Sequence, residues 1–468
     1  MRDKRKLDRK PWLEEWPLIV LLRIRRRVTW SIRVSSKGKT SQKSESAGKT
    51  NDHKPTIVKF HGKLAAALRA EGMQVGETVK QVARDARMPP SAKQIKREVL
   101  RATKFLLPKE KSSAEQQAYW KARETPFRSG KMERLGLDMG TKNIVLAYRK
   151  DKQDKQIAFR REVNGFLQIL KGDNFTKQML VQSGVPYIAR DKDFIAIGEK
   201  AEELAFSFGK ELQRPMVNGV LSITERQAMA IMGVIVKSII GKLNDDVILY
   251  FCIPAAAINH TVNVDYHQKI IQAILESFEM KVKINGFSIN EARAIVISRS
   301  PDRSAIGISF GAGMVNVCYC LYGIPIYEFS IVGSGDMIDA ESARVTGEST
   351  TAIARIKESS DMKLDEGMPQ DFIKRAIYLN YTILIERVAK GVAAGFKVNE
   401  SKAKAPKPMP IILAGGTASI SGFLKFFKEV FTKQDMPFAV GEITLADRPL
   451  YAVAEGCLTA AEMHEDKK

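Results

Sequence analysis

Cysteine is scarce in this chain of 468 residues: Cys252, Cys318, Cys320 and Cys457 are all it has. Each lies inside an apolar run, and none has the paired spacing of a zinc site or a disulfide framework. A disulfide-stapled secreted scaffold is therefore excluded, and a reducing cytoplasm is the expected location. Long apolar runs are lacking as well. No stretch approaches the roughly 20 residues that span a bilayer, and the longest early one, Trp16 to Leu22, is followed by Arg23, Arg25, Arg26 and Arg27. A secretory leader places its charge mainly before the apolar core and a small-residue cleavage site after it. Two readings of this patch stay open: attachment to an anionic membrane surface, or a solvated arm.

Acidic residues are short in one region only. Residues 1–131 hold 33 Lys+Arg against 13 Asp+Glu, whereas the remainder holds 42 against 40. Of the net charge of +22, all but +2 thus belongs to an N-terminal extension, for which charge points to an acidic partner, either nucleic acid or an anionic membrane surface. Residues 34–54 are rich in Ser, Lys and Gly without periodicity, the composition of a flexible, partly disordered linker. Gly48-Lys49-Thr50 ends like a Walker loop, but Lys43 stands where the first glycine belongs, and the motif is rejected. Helical periodicity runs from about 63 to 106. Within it, residues 78–97 faintly resemble a helix-turn-helix with Arg87 where the turn wants glycine; a helical basic tail without groove contacts is the other reading.

At Met132 the composition changes abruptly to apolar strands separated by glycine turns, so a domain boundary is expected there, with residues 132–468 forming the second domain. A start assigned too far upstream would equally account for the first 131 residues.

Three glycine loops carry chemistry in that second domain. The first is Leu135-Gly136-Leu137-Asp138-Met139-Gly140-Thr141-Lys142-Asn143, a strand entering a tight turn and leaving as the strand Ile144 to Tyr148. The N–H groups of such a turn, with the Thr141 hydroxyl, can cradle a polyphosphate, and Asp138 at the strand end suits a magnesium ion and its waters. The second loop, Gly307-Ile308-Ser309-Phe310-Gly311-Ala312-Gly313-Met314, repeats the design and predicts an internally duplicated α/β architecture with phosphate held between two halves. The third, Leu413-Ala414-Gly415-Gly416-Thr417-Ala418-Ser419, predicts a buried strand, a turn that admits a flat ligand, and a helix from about Ser421 to Phe431 capped by Thr417 or Ser419.

The order of these loops resembles the superfamily of actin, the seventy-kilodalton heat-shock chaperone and sugar kinases, over nearly all of residues 134 to 462. In detail it is most similar to the bacterial actin homologues MreB and MamK. The runs Ile195 to Ala201, Arg214-Pro215, Ile253-Pro254, Asn290 to Ala294, Val332 to Asp339 and Tyr451 to Cys457 fall in the order that resemblance expects. It implies an actin-like ATPase fold, two duplicated α/β subdomains around a nucleotide cleft, with ATP and Mg2+ as cofactors. It further implies that Asp138 helps hold the metal, that Gly140, Thr141, Lys142, Asn143, Gly311, Ala312, Gly313, Met314, Gly415, Gly416 and Thr417 surround the nucleotide, and that Glu291 orients the attacking water. For Glu291 a purely helix-capping role is the other reading.

Three positions depart from the family's pattern. Ser309 replaces an aspartate and brings no negative charge to the metal or general-base strength to the site. Met314 replaces a threonine, and Ala354 a glutamate, leaving Arg355 and Lys357 as sugar-side contacts. The resemblance therefore implies nucleotide binding more firmly than hydrolysis. The leading functional expectation is an ATPase that polymerises into cytoskeletal filaments for cell shape or intracellular positioning. The alternative is a non-hydrolysing, nucleotide-dependent scaffold whose basic arm holds the acidic partner. No C-terminal peptide-binding unit and no substrate acid or base for a kinase is legible.

Overall fold

The computed structural model of the chain describes residue 97 and residues 133–464, except 151–155, 171–173, 191–192, 223–226, 242, 244–245, 278–282 and 399–407. The Trp–Arg patch, the linker and the helical and helix-turn-helix readings of residues 63–106 lie outside the described residues, save that Arg97 is helical and exposed. Among the described residues no helix is long and apolar enough to cross a membrane.

Strands β1 (Glu133–Met139), β2 (Asn143–Arg149) and β3 (Ile157–Val163) form an antiparallel meander. The chain then builds a small sheet from β4 (Phe166–Ile169), β5 (Tyr187–Arg190) and β6 (Asp193–Ile197), and a short hairpin from β7 (Met216–Val217) and β8 (Val220–Leu221). Parallel strands β9 (Val247–Ile253) and β10 (Ile284–Asn290) complete the first large sheet in the order β10-β9-β1-β2-β3. The second half repeats this path. A meander of β11 (Ala305–Phe310), β12 (Met314–Leu321) and β13 (Ile324–Val332) is extended in parallel by β14 (Met409–Ala414) and β15 (Val440–Leu445), in the order β13-β12-β11-β14-β15.

The duplication expected from the two similar loops is thus topological. Strands β9 (VILYFCI) and β14 (MPIILA) are almost continuously apolar because a parallel central strand is covered on both faces. Each lobe has its own core. In the second, Phe310, Phe423, Phe427 and Phe431 pack together with Tyr381, Phe310 edge-on to Phe423 and Phe427, each large side chain contributing on the order of 2 kcal/mol by burial.

The lobes exchange helices. Helix Glu291–Arg299 follows β10 yet packs on β11, while helix Ala452–Glu462 follows β15 yet packs on β1. Glycine sets both approaches: a methyl group on Gly307 would stand 2.3 Å from the Ala292 carbonyl oxygen, and one on Gly136 2.2 Å from that of Ala454. Both glycines lie two residues before the residue each strand presents to the cleft, Ser309 and Asp138. A side chain at either would push that residue away from the helix that frames it.

Candidate functional site

The turns that follow β1 and β11 meet face to face. A methyl group at Gly313 would lie 2.5 Å from the Gly219 nitrogen and 2.8 Å from Thr141 Oγ1, so only glycine lets the two turns close on each other. Beside them opens a cavity of about 530 Å³. Asp138, Gly140, Thr141, Lys142 and Asn143 line it from the first loop; Ser309, Gly311, Ala312, Gly313 and Met314 from the second; Gly415, Gly416 and Thr417 from the third; and Glu291 and Lys357 from helices.

Arg355 is not brought to this cavity. It lines a neighbouring one of about 410 Å³, with its guanidinium 3.3 Å above the Phe206 ring. Lys357 is buried and ion-paired to Asp339 at 2.8 Å, so its charge is already neutralised. Met314 turns its side chain onto Gly219, filling the space beside the β7–β8 hairpin. Thr417 caps no helix. A 3-10 turn, Gly416–Ser419, intervenes, the helix begins at Phe423 with Gly422 at its cap, and Thr417 Oγ1 donates to the Gly311 carbonyl at 2.7 Å. The parallel pairing of β11 with β14, which runs to Ser309 opposite Ala414, brings the turns after the two strands side by side.

Of the carboxyl groups that line the cavity, Asp138 and Glu291 lie at its floor between the two strands and carry shifted pKa values. Asn290 caps helix Glu291–Arg299, its Oδ1 accepting from the Ala292 and Arg293 N–H groups, and this places Glu291 at the helix N-terminus. Burial, then repulsion from Asp138, pushes Glu291 up to about 8, although Ser309 Oγ donates to its Oε2 at 3.2 Å. Burial raises Asp138 to about 6, partly opposed by the Cys252 thiol, which donates to its Oδ1 at 3.1 Å. Both pKa values rise because desolvation penalises the charged form. A cation between them would reverse that penalty.

Across the mouth of the cleft the lobes are clasped. Arg214 pairs with Asp336 at 2.6 Å, Lys142 with Glu358 at 2.6 Å, and Thr350 Oγ1 donates to Glu211 at 2.9 Å. Lys142 Nζ also stands 3.9 Å from Glu202. Sequence reasoning missed Cys252, Glu202, Glu358 and the Arg214–Asp336 pair as site residues. Arg214 and Asp336 lie in segments that carry the resemblance, but 122 positions separate them and no spacing rule links them.

Two equivalent five-stranded lobes, exchanged helices and facing glycine turns define an actin-like ATPase fold. The structure of a MamK double helical filament shares it, with a TM-score of 0.52 at 16% identity over 71% of this chain and 99% of that one. MreB5 of Spiroplasma citri bound to ADP aligns at 14% identity and a TM-score of 0.46, covering 69% of this chain and 94% of its own. The ethanolamine utilization protein EutJ of Carboxydothermus hydrogenoformans aligns at 12% and 0.43, covering 79% and 99%. No curated protein matches. The sequence model of the Volactin family matches residues 132–461, and the chain belongs to that family.

Proposed function

We propose that the cleft binds ATP with Mg2+ and that the chain assembles into filaments, with hydrolysis slowed by the loss of an aspartate at position 309. The observation that carries this reading is the meeting of two equivalent glycine turns at Gly313 and Thr141 beside a cavity of about 530 Å³. The donor set fits a magnesium–polyphosphate: turn N–H groups, the Asp138 carboxylate and the Lys142 ammonium, which would exchange its exposed partner Glu358 for phosphate, line one space. Among the described residues no cluster of three or more His, Cys, Asp or Glu forms a protein cage, which suits an ion held by one carboxylate together with phosphates and waters. Bound magnesium would neutralise phosphate charge. Asp138 would hold it, Thr141 and Lys142 would take phosphate oxygens, and Glu291 would orient the attacking water.

Likeness to a filament structure supports self-association, and the net +20 of residues 1–131 supports an acidic partner for that extension. A scaffold that closes on nucleotide without cleaving it is the second reading. It is favoured by Ser309, whose hydroxyl is engaged with Glu291, and by the displacement of Arg355 and neutralisation of Lys357. ATP binding, phosphate release and light scattering on the full chain, with Asp138→Ala as control, test both. Binding with release and scattering, all lost in the variant, is expected. Tight binding without phosphate release would select the scaffold, and absence of binding would refute the nucleotide site.

A further inference from the structure

Strand β9 lies between β1 and β10, and near its end it carries Cys252, opposite Ile289 of β10. Its pairing with β1 runs to Phe251 opposite Leu137, and Cys252 and Asp138 are each the next residue on. Cys252 is fully buried in the apolar core of the first lobe and does not line the cavity. Its sulfur nevertheless makes two polar contacts. The Met139 N–H donates to it at 3.2 Å, and its thiol donates to Asp138 Oδ1 at 3.1 Å. A backbone N–H can only donate, so the sulfur accepts there and its single proton is left for the carboxylate. One atom thus ties down both the Asp138 side chain and the backbone where the glycine turn begins.

We propose that Cys252 is a positioning residue: from behind the cavity wall its thiol holds Oδ1 of Asp138 and so presents the other carboxylate oxygen to a divalent cation in the cleft. This rests on the nucleotide reading of the same cleft. Among the described residues no other side chain donates a hydrogen bond to Asp138. Without the thiol the carboxylate could turn about its side-chain bonds, and a metal ligand that must be ordered on binding loses affinity by that cost. A thiol suits the place for two reasons. It packs against the core as a small hydrophobe, and as a weak donor it orients a carboxylate without drawing off the charge that a cation needs.

The test uses the full chain with Cys252→Ala and Cys252→Ser, and two probes measured by calorimetry, Mg2+-ATP and ATP in excess EDTA. In Cys252→Ala, affinity for Mg2+-ATP is expected to fall about tenfold, with affinity for metal-free ATP changed less than about twofold. Cys252→Ser keeps a donor and an acceptor, and is expected to recover Mg2+-ATP affinity to within about threefold of wild type. A residue needed only for packing would give the opposite order, because alanine keeps the core apolar while serine places a hydroxyl in it. Unchanged affinity in Cys252→Ala, equal losses with and without magnesium, or no recovery in Cys252→Ser would overturn the assignment. Crystal structures of unliganded wild type and Cys252→Ala read the same question without nucleotide. The Asp138 carboxylate is expected to turn from its wild-type position in the variant, and an unmoved Asp138 refutes the role. If wild type binds neither probe, the nucleotide reading fails, while those two structures still decide whether Cys252 orients Asp138.

Discussion

Replacing Glu291 with glutamine should stabilise the protein in alkaline solution while harming the site. The carboxyl is held by burial and by Asp138 at about 8, against 4.5 for an ordinary glutamate. A group whose folded pKa is raised binds its proton more tightly in the folded state. Its contribution is fully present below the unfolded pKa and is lost as pH rises through the folded one. At about 1.36 kcal/mol per pH unit, the interval from 4.5 to about 8 sets roughly 5 kcal/mol as a ceiling on that loss. Water penetration and relaxation reduce it, so about 2 kcal/mol is the working figure. Glutamine is isosteric, carries no charge at any pH, and still accepts from Ser309. Urea unfolding of wild type and Glu291→Gln should therefore give similar stabilities near pH 5 and diverge progressively to pH 8.5, the variant being the more stable. Parallel curves across that range, or a variant weaker at pH 8.5, would refute the buried-carboxylate account. A carboxylate retained against such a cost is the expected signature of a group kept for chemistry rather than for folding.

His267 is buried, accepts from the Leu221 N–H through Nδ1 and is pushed by burial down to about 4. A lowered histidine pKa gives stability that is present above 6.5 and lost as pH falls towards 4, up to about 3 kcal/mol; subtracting the His267→Gln curve from that of wild type between pH 4 and 7 should isolate this slope, and no difference would refute it. Arg214→Ala removes the half-exposed ion pair with Asp336, worth at most about 1 kcal/mol of stability, yet it loosens the clasp over the cavity. Release of a fluorescent ATP analogue should quicken by about fivefold while the Tm barely moves, and high salt should quicken release from wild type more than from the variant. An unchanged release rate would show that the clasp does not gate the cleft.

Local physics was legible along the chain. Asp138, Ser309 and Gly415 each end an apolar run at a glycine turn, so the three loops could be placed from periodicity alone, and the similarity of the first two announced a duplicated architecture before any strand was paired. Asn290 before Glu291 is a helix start by the rules of capping. What the tertiary structure decided was every relation between residues far apart in the chain. It sent Lys357 to Asp339, Thr417 to the Gly311 carbonyl and Arg355 to Phe206, all short polar or charged side chains whose nearest partner depends on how β11, β14 and the flanking helices stack. It also placed Asn316 opposite Ser309, because register across a hairpin, unlike the hairpin itself, is set by the packing of both faces.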